Sequence, residues 1–255
     1  MKHLFFSLLA CVALAANPTI AQELAIGEPA PMTTAPLLAT DGSQLTLTGL
    51  AKENGLLVIF SCNTCPFVVG NGTKTEGWEG RYNGIADMAE SLGIGMVLVN
   101  SNQAKREGDD SLPEMKKRAM DMEYKAPYVV DDGSKLANAL GARTTPHVYL
   151  FNNAMELAYR GSIDDNVNRA GEVKERYLEM AMTRMAEGKK IKTPETKAVG
   201  CSIKREKKQR MDRRDRFTIK PLAKEGFFVS QKLGQSGMLL CFLRGVLTAL
   251  FSSIS

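Results

Sequence analysis

A short apolar run that ends at two cysteines constrains the fold of this chain more than any other feature. Leu56 to Phe60 is uninterrupted and rich in branched residues, which is the pattern of a strand buried on both faces of a sheet. Ser61 follows, and two residues separate Cys62 from Cys65. The sequence therefore predicts a central strand that delivers two thiols to its C-terminal end.

The remaining pattern alternates between strands and helices. Asp41-Gly42 predicts a turn before a short edge strand over 44–48, and apolar residues at helical spacing predict a helix that closes at Gly93. Further strands are predicted at 96–99, 128–130, 147–151 and 157–161, and further helices at 111–122, 134–140 and 166–187. This order predicts an α/β domain with a central mixed β-sheet flanked by helices.

The first residues have the order of a secretory signal peptide. A basic start, an apolar run from Leu4 to Ala16 and small residues near Ala21 predict cleavage after Ala21, with Ala16 as the alternative. The apolar run is shorter than the roughly 20 residues that span a bilayer. We therefore expect residues 1–21 to be a signal peptide and residues 22–203 to form an exported domain, periplasmic or secreted.

The positive charge of the chain is concentrated near its C-terminus. The net charge is +5, yet residues 204–255 hold 12 Lys and Arg against 4 Asp and Glu, so the preceding body is mildly acidic. A basic segment without a basic fold is typical of a solvated tail, and we expect no nucleic-acid partner. We expect this basic and then apolar tail to lie outside the fold. A shifted reading frame explains its composition, and membrane contact is the alternative.

Four cysteines remain after removal of the signal peptide: Cys62, Cys65, Cys201 and Cys241. A close pair in a cysteine-poor exported body is typical of a cycling disulfide, because a two-residue loop constrains the unfolded chain very little. We expect a helix to begin at Cys62, where its dipole favours an attacking thiolate, and to shield Cys65 as the resolving thiol. Cys201 lies beyond the last predicted helix. It is a candidate additional thiol whose replacement we expect to slow turnover only mildly.

Two metal sites compete with this redox interpretation. A lone Cys-x-x-Cys can be half of a zinc site, but the body holds no second pair of Cys or His at ligand spacing. His147, directly after Pro146, could join Cys62 and Cys65 in a copper site. The redox interpretation is favoured over both, and we expect neither a metal nor another cofactor.

Four motifs carry a resemblance to a known family: Phe60-Ser61-Cys62-Asn63-Thr64-Cys65-Pro66, Thr144-Thr145-Pro146-His147-Val148, Arg160 to Asn166, and Gly200 to Lys204. Through them, residues 30–203 resemble the thioredoxin-like redoxins, which include thiol-disulfide oxidoreductases and peroxiredoxins. The resemblance implies a thioredoxin-like fold and a cis bond between Thr145 and Pro146 that faces the cysteines. It also implies that the Thr145 backbone pairs with a substrate strand, and that the substrates are protein dithiols, disulfides or small thiols. The upstream electron donor is not identified.

Three departures from this family pattern affect the expected activity. Ser61 stands where thioredoxins carry Trp, which alters substrate docking. Leu56 stands where many thioredoxins have a buried carboxylate, so proton transfer from Cys65 needs another group or water. The residues before Cys62, Val58 to Ser61, offer neither the Pro nor the Thr or Ser of peroxiredoxins at the spacing those enzymes use. Thiol peroxidase activity is therefore an alternative rather than the main expectation.

Overall fold

The structure, a computed structural model, describes residues 22–206, so the predicted signal peptide and most of the predicted tail lie outside the described residues. Its strands are β1 Leu37–Ala39, β2 Gln44–Leu45, β3 Gly55–Ser61, β4 Ile94–Asn100, β5 Tyr128–Val130, β6 Thr144–Thr145, β7 His147–Phe151, β8 Leu157–Gly161 and β9 Cys201–Ser202. Its α-helices are α1 Leu47–Leu50, α2 Pro66–Val69, α3 Tyr82–Ser91, α4 Leu112–Asp121, α5 Lys135–Leu140 and α6 Tyr177–Ala186. Within residues 22–206, no helix combines the length and apolar character needed to cross a membrane.

Seven of the strands form one mixed sheet in the order β2-β1-β5-β4-β3-β7-β8. β3 pairs in parallel with β4 and antiparallel with β7, and all seven of its residues are buried. The apolar run is therefore covered on both edges and both faces, as the sequence predicts. The predicted fold class, a thioredoxin-like α/β fold with a mixed sheet flanked by helices, is confirmed.

Alternate residues of β3 point to opposite faces of the sheet and enter two separate cores. Leu57 and Ile59 pack with α3, α4 and α6, and this first core also contains Cys62 and Cys65. Leu56, Val58 and Phe60 pack with α1 and α5 in the second core. The face on which a neighbouring residue lies therefore decides whether it can meet the cysteines.

Two predicted elements are shorter than expected. The edge strand stops at Leu45, because the Thr46 hydroxyl accepts the N–H of Gly49 and caps α1 instead of continuing the strand. The closing helix begins at Tyr177 rather than near Asn166. The Asn166 side chain accepts two backbone N–H groups just beyond it, which favours turns over a helix.

The first residues assigned to the tail pack on the domain. The N–H of Lys204 donates to Asn102 Oδ1 at 2.8 Å, and Arg205 Nε donates to Asn138 Oδ1 at 2.6 Å. Ile203, just before them, is buried in the second core. The chain is therefore held against the domain up to Arg205, two residues past the predicted end of the domain at 203.

Candidate active site

The two cysteines occupy the turn between β3 and α2. Cys65 is the N-cap of α2, with an extended backbone, and Pro66 is the first helical residue. A proline disfavours helical backbone in the residue before it and donates no N–H to the preceding turn, so the helix starts after the pair. The expectation that a helix begins at Cys62 is therefore wrong, and so is the dipole argument that depended on it.

Both thiols are buried and both contact Thr145. Cys62 is 2% exposed and Cys65 is 3% exposed, so the expected difference in exposure is not found. Cys62 Sγ lies 3.2 Å from Thr145 Oγ1, and the Cys65 thiol donates to the carbonyl oxygen of Thr145 at 3.0 Å. The structure thus brings together Cys62, Cys65 and Thr145, as the sequence predicts.

The Thr145–Pro146 peptide bond is cis, as the resemblance implies. The Thr145 backbone, however, already has a partner: β6 pairs antiparallel with β9, and Thr145 lies opposite Cys201. Gly200 comes so near that a Cβ there would lie 2.3 Å from the Thr145 carbonyl oxygen. A substrate strand can therefore pair with Thr145 only after β9 has moved away.

Cys201 is a third thiol at this site and contacts Cys65. Its N–H donates to Cys65 Sγ at 3.3 Å, and its side chain packs against the core that contains Cys62 and Cys65. Cys201 is partly exposed, whereas the other two thiols are buried. The sequence left open which cysteine Cys201 would meet, and the structure places it against Cys65.

The hydrogen bonds between the three thiols separate their acidities. The bond with Cys65, followed by burial, raises the pKa of Cys62. The bond with Cys62 lowers the pKa of Cys65, and the side chain and N–H of Cys201 lower it further. Burial, followed by the bond with Cys65, raises the pKa of Cys201. The lowered pKa favours a thiolate on the middle sulfur, that of Cys65, and the role of Cys62 as the attacking thiol stays a prediction.

A buried carboxylate that sequence reasoning missed holds the cysteine turn in place. Asp110 is fully buried, and its Oδ1 accepts the N–H of Asn63 at 2.8 Å and the amide of Asn100 at 2.7 Å. Its Oδ2 accepts the amide of Asn102 at 2.9 Å. Because β3 and β4 are parallel, the loops that follow them meet at one edge of the sheet. This shared edge was the signal that could have pointed to Asp110.

Ser61 faces the interior rather than a docking surface. It is 1% exposed, and its hydroxyl lies 3.1 Å from the hydroxyl of Tyr82. The residue after Cys62 is also fixed, because the Tyr128 hydroxyl donates to Asn63 Oδ1 at 3.0 Å. The residues on both sides of Cys62 therefore each contact the hydroxyl of a buried tyrosine.

Comparison with known proteins assigns the family. The family model named Redoxin matches residues 25–175, more than half of the chain. The chain belongs to the Redoxin family. Redoxins are typically redox enzymes, and the match includes Cys62, Cys65, Thr145 and Pro146 but ends before Cys201.

The solved structures that are similar to this redoxin include two bacterial proteins. One is an uncharacterized conserved protein from Geobacillus kaustophilus, with 28% identity and a TM-score of 0.64 over 72% of this chain and 94% of that chain. The other is a hypothetical protein from Sinorhizobium meliloti 1021, with 27% identity and a TM-score of 0.65 over 73% of this chain and 98% of that chain. A search of curated proteins returned no significant match.

His147 lies on the opposite face of the redoxin sheet from the cysteines. Val148 packs in the first core with Cys62, whereas His147 packs against Tyr149 with ring centroids 4.7 Å apart. His147 Nδ1 accepts the N–H of Arg143 at 3.3 Å. Among the described residues, no three His, Cys, Asp or Glu side chains come together as a metal site. The copper site considered from the sequence is therefore not formed, because residues alternate faces along a strand.

The burial of His147 predicts that this redoxin loses stability in mild acid. Burial, reinforced by the charges of Arg160 and Arg143, lowers the pKa of His147 from 6.5 to about 3. Between these pH values the unfolded chain binds a proton that the folded protein excludes. The free energy of unfolding should therefore fall as the pH drops below 6.5, by up to about 1.4 kcal/mol per pH unit.

Urea unfolding of the mature protein at about pH 7 and pH 5 measures this loss. The variant His147→Gln keeps a hydrogen-bond acceptor without a titrating ring, so its stability should fall less over the same interval. His3, the other histidine, lies in the predicted signal peptide, so the measurement uses a protein that begins at Gln22. An equal loss in both proteins would mean that another group causes the acid sensitivity.

Proposed function

We propose that this redoxin is an exported thiol-disulfide oxidoreductase in which Cys62 and Cys65 cycle between dithiol and disulfide. The observation that carries the proposal is that both thiols lie in one buried turn and both contact Thr145. Two thiols held this close can form a disulfide with little movement of the backbone. The proposed substrates are protein dithiols, disulfides or small thiols.

The contact between the two sulfurs favours exchange over a one-cysteine peroxidase. In exchange, one thiol forms a mixed disulfide and its neighbour breaks it, so both members of a pair have a role. A peroxidase that works with one cysteine would leave this contact unused. Thiol peroxidase activity is retained as the alternative that the experiments below distinguish.

The proposed export rests on residues 1–21, which have the composition of a signal peptide. We expect the mature protein to begin at Gln22 and to be recovered outside the cytoplasm. N-terminal sequencing of the exported protein, after fractionation of cells that express the full chain, tests this. Recovery in the cytoplasm with an intact Met1 would contradict it.

Equilibration with glutathione redox buffers tests the proposed exchange. The fraction of Cys62–Cys65 disulfide, measured by alkylation and peptide mass spectrometry, should follow a single two-electron transition. A midpoint near about −270 mV would indicate a reductase, and one near about −120 mV a disulfide donor. If no disulfide joins Cys62 to Cys65 across the whole range, in the wild type or in Cys201→Ser, the proposal is wrong.

A further inference from the structure

We infer that Cys201 is the third thiol of a disulfide relay. It exchanges with the Cys62–Cys65 disulfide and carries the disulfide, as Cys65–Cys201, from the buried pair to the surface of the domain. This inference rests on the proposed thiol-disulfide exchange. It adds the residue at which the buried pair meets an external dithiol or disulfide.

The three thiols form a series with Cys65 in the middle. Cys62 and Cys65 both contact Thr145, and Cys65 Sγ accepts the N–H of Cys201 at 3.3 Å. Exposure increases along this series, because Cys62 and Cys65 are at most 3% exposed and Cys201 is partly exposed. A protein thiol can therefore reach the site more readily at Cys201 than at either member of the buried pair.

The backbone holds Cys201 in this position from both sides. Before it, Gly200 lies against the Thr145 carbonyl with no room for a Cβ. After it, Ile203 is 5% exposed in the second core, and the N–H of Lys204 donates to Asn102. Pairing of β6 with β9 fixes the register, with Cys201 opposite Thr145. The thiol is thus presented to Cys65 by an anchored strand rather than by a loose terminus.

The internal step conserves atoms and electrons. The Cys201 thiolate attacks Cys65 Sγ of the Cys62–Cys65 disulfide, the old S–S bond breaks as the Cys65–Cys201 bond forms, and Cys62 leaves as a thiolate. Cys62 then takes up the proton that Cys201 released, so no electron leaves the protein. The lowered pKa of Cys65 suits the next step, in which Cys65 is the leaving group.

The external step reduces the relay and oxidises its partner. One thiolate of a partner dithiol attacks Cys201 Sγ, displaces the Cys65 thiolate and forms a mixed disulfide with Cys201. The second thiol of the partner then attacks the partner's first sulfur in that mixed disulfide. This forms the partner's disulfide and releases Cys201. The partner leaves as a disulfide and the three cysteines are thiols. The same steps in reverse pass a partner's disulfide inward to Cys62 and Cys65.

Disulfide mapping of the oxidised protein tests the relay. After oxidation with glutathione disulfide, wild type should contain both Cys62–Cys65 and Cys65–Cys201, Cys62→Ser only Cys65–Cys201, and Cys201→Ser only Cys62–Cys65. Reduction of the Cys201→Ser disulfide by a protein dithiol such as thioredoxin should slow about tenfold or more, a larger effect than the mild slowing expected from the sequence alone. Its reduction by dithiothreitol, a small dithiol that can enter the turn, should slow less than about twofold.

A matched control moves the thiol by one residue. In the double variant Cys201→Ser/Ser202→Cys the segment keeps a cysteine, but neighbouring strand residues point to opposite sides, so this thiol faces away from Cys65. We expect it to behave like Cys201→Ser.

If Cys62→Ser forms no Cys65–Cys201 disulfide and Cys201→Ser is reduced at the wild-type rate by both reagents, the relay is wrong and the exchange by Cys62 and Cys65 stands. If no Cys62–Cys65 disulfide forms even in Cys201→Ser, the proposed function fails and the relay with it.

Discussion

Cys65→Ser should stop disulfide exchange and leave the protein covalently attached to its substrates. A mixed disulfide on Cys62 has no thiol beside it in this variant, because the contact of Cys201 is with residue 65 and not with Cys62. The loss of Cys65 also removes the hydrogen bond that raises the pKa of Cys62, which frees Cys62 to attack. We expect turnover to fall on the order of 100-fold or more, as when one member of a catalytic unit is removed.

Cys62→Ser should lower turnover as well but accumulate few adducts. A mixed disulfide on Cys65 still has Cys201 beside it, which can release the substrate and leave a Cys65–Cys201 disulfide. Residual exchange through this second pair is therefore expected. The double variant Cys62→Ser/Cys201→Ser should lose the residual exchange and accumulate adducts on Cys65.

Non-reducing gels of the exported protein, with mass spectrometry of the bands, distinguish these three variants. Adducts that accumulate in Cys62→Ser and not in Cys65→Ser would mean that Cys65 is the attacking thiol and Cys62 the resolving thiol. If neither single variant forms adducts and peroxide consumption is unaffected by the loss of Cys65, the protein is a one-cysteine peroxidase.

The sequence predicted the features that depend on local patterns. The apolar run that became β3, the position of both cysteines at its C-terminal end and the proline before β7 are all specified by neighbouring residues, and the structure confirms each. The start of α2 was also specified locally. Pro66 carries that information, because a proline disfavours helical backbone in the residue before it.

The contacts that link distant parts of the chain were not predictable in the same way. Cys201 meets Cys65 across 136 residues, and Asp110 meets the N–H of Asn63 across 47 residues. No spacing rule connects such positions, because the packing of loops at one sheet edge brings them together. His147 illustrates a further limit: its face depends on strand register, which the pattern of β7 alone does not fix.

Gly200→Ala should detach Cys201 from the site without removing its thiol. A Cβ at residue 200 would lie 2.3 Å from the carbonyl oxygen and 2.7 Å from the carbonyl carbon of Thr145. Both are backbone atoms next to Pro146, so they cannot rotate out of the way, and β9 has to move instead. We expect a destabilisation of about 1–3 kcal/mol, typical of a forced overlap in a packed region.

The displacement of β9 should also expose the thiol that it carries. With the N–H···Sγ bond to Cys65 broken, Cys201 should react with iodoacetamide about tenfold faster, as expected when a thiol gains solvent access. The Cys65–Cys201 disulfide should decline in the oxidised variant while Cys62–Cys65 still forms. Gly171→Ala is the matched control, since a Cβ there meets no atom within 4 Å. If Gly200→Ala matches this control in stability and in alkylation of Cys201, the close approach of Gly200 to Thr145 is not what holds Cys201 against Cys65.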